Sequence, residues 1–283
     1  MSLFSPARSA ASGVADPADA PDFWSGADAG ITLRGVGRRF GPHDVLVDVD
    51  LHVEPGEVIA VLGPSGCGKS TLLRLAAGLD APTTGSVAIG DVAVRPFDPR
   101  CAVAFQEPRL LPWRTLRENV ALGLPRTHRR RTAAEDARID ELLALVGLSE
   151  FAGHRPRAVS GGMAQRASLA RALARDPHVL LLDEPFGALD ALTRLKMQDL
   201  LLSVHAASPA TILLVTHDVD EALQLADRIV LLGPADGDTG SSAAPAGVRS
   251  VHVVPGDRPR DRGSADLARM RADLFTALGV DTH

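Results

Sequence analysis

The run Gly63-Pro64-Ser65-Gly66-Cys67-Gly68-Lys69-Ser70-Thr71 constrains this chain more than any other stretch, because it fills every position of a phosphate-binding loop. The pattern G-x-x-x-x-G-K-[ST] needs glycines so that the backbone can curl tightly and aim several N–H groups at phosphate oxygens. Lys69 is placed to reach the β- and γ-phosphates and Ser70 to ligate Mg²⁺, at a helix N-terminus whose dipole favours anions. Residues 57–62 before the loop read as a buried strand. Residues 71–77 after it read as an amphipathic helix closed by Gly78. A chance glycine turn would not bring strand, loop and helix into register. The loop therefore predicts a nucleoside triphosphate site in an α/β fold.

A chain of 283 residues holds one large α/β domain, or one domain with an inserted subdomain. Its net charge of −5 argues against a nucleic-acid-binding face, which needs clustered Lys and Arg. Cys67 and Cys101 are the two cysteines, and one of them sits in the phosphate loop. That excludes a disulfide framework and fits a reducing, cytoplasmic setting. No run is long and apolar enough to span a bilayer, and the start lacks the pattern of a signal peptide. The expectation is a soluble protein whose membrane role comes through a partner.

Residues 1–30 are rich in Ala, Ser, Asp, Pro and Gly and read as a flexible leader. Val47, Val49, Leu51 and Val53 alternate with polar residues as in a half-buried strand. Short strands are expected near 86–89 and 101–105, before the strand pattern stops. Between 108 and 160 helices take over, at 117–122 and 133–146, the second with Ile139, Leu142, Leu143 and Val146 at helical spacing. Strands return at 179–182, 211–215 and 228–232, separated by helices at 191–206 and 218–226. The organisation is a nucleotide-binding domain over 31–233 with a helical insert, a linker over 234–249, and an extension over 250–283 carrying a strand at 251–254 and a helix at 265–278.

Two further elements narrow the chemistry. Residues 179–182 form an apolar strand ending in Asp183-Glu184. Asp183 is placed to hold Mg²⁺, directly or through water, and Glu184 to polarise an attacking water as a general base. An isolated acidic pair at a strand end is commonplace; downstream of a phosphate loop it has a use. Ser160-Gly161-Gly162 opens a helix, where a Ser hydroxyl and bare backbone can face a γ-phosphate. By itself it would be an ordinary helix cap.

Together these elements resemble the nucleotide-binding subunit of ATP-binding-cassette transporters, over about residues 31–232. The phosphate loop, Gln106 after a strand, Ser160-Gly161-Gly162, Asp183-Glu184, Ala188-Leu189-Asp190 and His217 stand in that family's order. The resemblance implies a P-loop NTPase core with an antiparallel β subdomain and an inserted α-helical subdomain. It implies that ATP and Mg²⁺ bind, that Gln106 senses the γ-phosphate and metal, and that His217 positions the γ-phosphate and attacking water. Ser160, Gly161 and Gly162 would cap nucleotide held by a second copy of the chain, and Asp190 would communicate across that dimer. The implied partners are integral membrane permease subunits and, through them, an extracytoplasmic substrate-binding protein, with no nucleic acid. Phe40 falls where the family stacks an aromatic on adenine, and no tyrosine is available to replace it; a core role at a strand end is the other reading.

Two departures refine the resemblance. Met163 replaces the family's usual Gln, and Val159 its usual Leu. The Met recurs among importers of sulfonates, taurine and nitrate-like anions, a subgroup that Leu110-Leu111-Pro112-Trp113 also resembles. Pro259-Arg260-Asp261-Arg262 and the terminal helix resemble aliphatic sulfonate import subunits. Trp113 is either an anchor for a partner or a buried residue holding the insert together. The cluster Arg126-Thr127-His128-Arg129-Arg130-Arg131 reads as a solvated loop, with weak attraction to anionic lipid as the other option. The rival functions are a taurine or nitrate importer subunit, a non-transport cassette ATPase and a phosphoryl-transferring kinase. Long coiled coils, basic arms and paired cassettes are missing from this sequence, which disfavours the second; Ser160-Gly161-Gly162 and His217 disfavour the third.

Overall fold

A computed structural model describes residues 29–125, 131–207, 209–234 and 244–279. Its backbone is one ten-stranded sheet with helices on both faces. The strands are β1 (Ile31–Phe40), β2 (His43–Val53), β3 (Val58–Leu62), β4 (Thr84–Ile89), β5 (Val92–Ala93), β6 (Cys101–Ala104), β7 (Val179–Asp183), β8 (Thr211–Val215), β9 (Arg228–Pro234) and β10 (Ala246–Val253). They lie in the order β5-β4-β1-β2-β10-β9-β3-β8-β7-β6. β9, β3, β8, β7 and β6 are parallel, whereas β5, β4, β1 and β2 form an antiparallel edge.

The central strands are apolar on both faces because both faces are covered. Val58, Ala60 and Leu62 of β3 point into one core and Ile59 and Val61 into the other. The first core packs against α2 (Leu116–Val120), α3 (Ala133–Leu145), α4 (Gly161–Leu173), α5 (Ala191–Ala207), α6 (Val219–Leu225) and α7 (Ala265–Ala277). The second joins α1 (Lys69–Ala76) to the antiparallel strands, so the helix behind the phosphate loop is fixed from that side.

In the helical insert, α2 and α3 each begin with a capping box, Thr115 with Glu118 and Thr132 with Glu135. Fully buried Asn119 accepts from Leu111 N at 2.7 Å and donates to the carbonyls of Leu111, Arg114 and Thr115, which fastens the loop carrying Trp113. Trp113 itself is 66% exposed, so it does not hold the insert together as a core residue. Of the basic cluster, residues 126–130 lie outside the described residues, and Arg131 pairs with Asp136 at 3.0 Å.

The structure corrects the sequence reading in three places. The alternation expected across β2 breaks at Asp48, whose φ of 46° marks an irregularity in the pairing with β1. Upstream of it Leu46 points inward and Val47 is exposed. The strand expected at 251–254 runs Ala246–Val253 and so starts inside the stretch read as a linker. Its small residues misled: Ala246 is buried, and a Cβ on Gly247 would meet the Val47 carbonyl at 3.2 Å. Short β5 was not anticipated. Of the leader, only residues 29 and 30 fall among those described; the Ala29 carbonyl accepts from the Thr211 hydroxyl at 3.0 Å. Among the described residues no helix is long and apolar enough to cross a membrane.

Candidate active site

The phosphate loop leaves β3 at Gly63 and enters α1 at Lys69. A side chain at Gly63 would place its Cβ 2.2 Å from the Leu232 carbonyl, so only glycine lets the loop pass β9. Gly66 and Gly68 have φ of 81° and 100°, the left-handed region where glycine carries no Cβ penalty. The curl is closed by Lys69, whose Nζ donates to the carbonyls of Gly63 at 2.7 Å and Pro64 at 2.8 Å. Pro64, Ser65 and Gly66 form the outer turn, and Ser70 and Thr71 open the helix. Cys67 lies against the Leu232 carbonyl at 3.7 Å, and burial pushes its thiol above its ordinary range, so it is a packing residue.

Across from α1, β7 ends in Asp183, and Glu184 follows directly after it. Ser70 Oγ donates to Asp183 Oδ1 at 3.1 Å. Burial pushes the Asp183 carboxyl upward; the Ser70 hydrogen bond opposes this, and adjacent Glu184 adds to it. A hydroxyl and a buried carboxylate, with a second acid beside them, are hard oxygen donors that suit Mg²⁺. The glycine cradle and Lys69 suit a polyphosphate.

Glu184 stands at φ 45°, a left-handed backbone that non-glycine residues rarely adopt. Its N–H donates to the Val215 carbonyl at 2.8 Å. Its Oε2 accepts from Gln106 Nε2 at 3.0 Å and lies 3.2 Å from His217 Nδ1. Gln106 and His217, read separately from the sequence, thus converge on one carboxylate oxygen of Glu184. Gln106 joins Glu184, and no direct bond from it to Ser70 or Asp183 is formed among the described residues.

Ser160 caps α4 by accepting from Met163 N at 3.2 Å. Ser160 and Gly161 are exposed, and a Cβ on Gly161 would meet nothing within 4 Å. Gly162 instead packs closely on Leu189 and the Ala188 carbonyl. Two side chains of α4, to which the sequence assigns no role, fix the helix: Gln165 donates to the Phe105 carbonyl at 3.0 Å, beside Gln106, and Arg166 reaches the Val146 carbonyl at the end of α3. Phe40 is 45% exposed at the end of β1, with the Arg38 guanidinium 4.4 Å from its ring centroid, so it is not a core residue. Sequence reasoning also passed over Arg194 and Glu221, which lie beside His217. The spacing Asp218-x-x-Glu221 looks like a surface helix cap, and nothing in it signals that Glu221 turns inward.

Residues 46–187 match the family model described as ABC transporter. The chain is 45% identical over 252 residues to the aliphatic sulfonates import ATP-binding protein SsuB 1 of Xanthomonas axonopodis pv. citri (strain 306), covering 88% of this chain and 96% of that one. It is 48% identical over 250 residues to the protein of the same name from Rhodococcus jostii (strain RHA1), covering 88% and 93%. Among solved structures it is similar to a dimeric post-hydrolysis state of the ATP-binding cassette MJ0796 bound to ADP and Pi. That likeness has a TM-score of 0.69 and 32% identity, over 80% of this chain and all of the other. Phosphate loop, paired carboxylates, Gln106 and His217 thus sit on a cassette fold, and this chain belongs to the ABC transporter family as one of its ATP-hydrolysing subunits.

Proposed function

We propose that this chain powers a membrane importer of aliphatic sulfonates. The observation that supports the hydrolytic part is the convergence of Gln106 and His217 on Glu184 at the end of β7. The sulfonate assignment is supported by relatives that carry that substrate in their names. Lys69 and the loop N–H groups hold the β- and γ-phosphates, and Ser70, Asp183 and Gln106 would hold Mg²⁺, which would neutralise phosphate charge. Glu184 takes the proton of the attacking water while His217 and Gln106 keep its carboxylate and the water aligned. Phe40 stacks on adenine.

A second copy supplies Ser160, Gly161 and Gly162 to the open side of the γ-phosphate, as a further helix N-terminus. Closure of that dimer at the inner face of the cell membrane drives permease subunits. An extracytoplasmic binding protein selects the substrate, which never touches this chain. The test is uptake of a radiolabelled alkanesulfonate, and growth on it as sole sulfur source, by cells lacking this gene. Complementation by the wild-type chain and not by Glu184→Gln supports the proposal. Restored uptake of only taurine or nitrate would reassign the substrate, and unaltered sulfonate uptake in the deletion strain would overturn it.

A further inference from the structure

A pocket of about 20 Å³, partly open to solvent, is lined by Glu184, Arg194, Thr216, His217, Asp218 and Glu221. That volume admits one water, and the lining supplies the polar partners a buried water needs. Glu221 occupies the first turn of α6, three residues after the cap Asp218, whose side chain accepts from the N–H groups of Asp220 and Glu221. A glutamate there ordinarily faces solvent. Here it is 4% exposed, and its Oε1 has no hydrogen-bond partner in the protein.

An unpartnered buried carboxyl oxygen is costly, and such a cost persists where something else uses the group. Burial foremost, and then the charge of Asp218, push the Glu221 carboxyl up to about 8. Glu184 adds to this, while the Thr216 hydroxyl and Arg194 work against it. At neutral pH the group is therefore an acid with a hydrogen to donate. The charged groups facing it are Glu184 from the loop after β7, His217 from the loop after β8, Arg194 from α5 and Asp218 on its own helix. Arg194 is engaged with Asp218 Oδ2 and the Leu189 carbonyl, both at 3.3 Å. Asp220 is exposed and pairs with Arg271 of α7.

Resting on the reading of Glu184 as the base, we infer that Glu221 is a positioning residue for it, forming the inner wall of a one-water pocket and holding the Glu184–His217 pair in one orientation through that water. The water accepts from the Glu221 O–H and donates to the Glu184 carboxylate. No proton changes owner in this arrangement; its effect is to keep the Glu184 carboxylate aimed.

The test is basal Mg²⁺-ATP hydrolysis by the purified full-length chain at pH values on both sides of 8, for wild type, Glu221→Gln, Glu221→Leu and Glu184→Gln. Wild-type kcat should fall as pH rises through about 8, because ionised Glu221 has no hydrogen to donate and sets a second charge beside Glu184. Glu221→Gln donates at every pH, so it should keep most of the activity and lose that decline. Glu221→Leu should lower kcat about 10- to 100-fold, the scale of a misaligned group, with KM for ATP unchanged. An alkaline decline in Glu221→Gln identical to wild type, or wild-type turnover by Glu221→Leu, would overturn the inference. If the Leu variant does not fold, the Gln profile decides alone. Near-normal turnover by Glu184→Gln would instead remove the base on which the inference rests; an inactive Glu184→Gln beside an unchanged Glu221→Gln profile sinks the positioning role only.

Discussion

At residue scale the site depends on backbone that few residues accept. The left-handed conformation of Glu184 costs on the order of 1–3 kcal/mol and turns its carboxylate towards Gln106 and His217. Glu184→Gln keeps that shape and removes the basic oxygen. It should retain ATP affinity while lowering hydrolysis by about 10²–10⁴-fold. Equilibrium nucleotide binding and steady-state phosphate release separate the two effects, and near-normal release would take Glu184 out of the mechanism. The residues of the phosphate loop were legible in the sequence because their spacing is itself the chemistry. Glu221 and Arg194 were not, since which way a side chain turns from a helix cap is decided by what packs against it.

At the scale of elements, most strands and helices could be read from periodicity, with ends displaced by one or two residues. The failures have physical causes. One pleat irregularity at Asp48 reverses the inward side of β2, and Ala246 and Gly247 are too small to look like a strand although their smallness is what admits them to the sheet. The insert loop illustrates what tertiary structure adds: Asn119 spends its side chain on the loop carrying Trp113, leaving that ring exposed on a fastened backbone. A ring so held suits a docking surface. Trp113→Ala should therefore leave ATP affinity intact and lower the melting temperature of the isolated subunit only slightly, while weakening permease association or uncoupling hydrolysis from transport. Truncating a core Trp would cost about 3–5 kcal/mol. A drop in melting temperature of that size would return Trp113 to a structural role.

At the scale of the whole molecule, the proposal that a second copy covers exposed Ser160 and Gly161 can be tested directly. Consider mixed dimers carrying Lys69→Ala and Ser160→Arg. With the lesions on different chains both fall in one site and the other stays intact; with both on one chain each site is damaged. The first arrangement should retain ATPase activity, or nucleotide trapping at the one intact site, and the second almost none. The opposite ranking would mean that each site is built within a single chain. The sheet order carries a further consequence, for biogenesis. β10 lies between β2 and β9, pairing with β2 through Ala246 and Leu46 and with β9 along its length. Among the described strands a ribosome delivers β10 last, so a nascent chain holds two unpaired inner edges until β10 emerges. Unpaired edges template aggregation. The strand that joins the nucleotide-binding half of the sheet to its antiparallel half is the last of the described ones, and a chain that stops before it is left with both edges open.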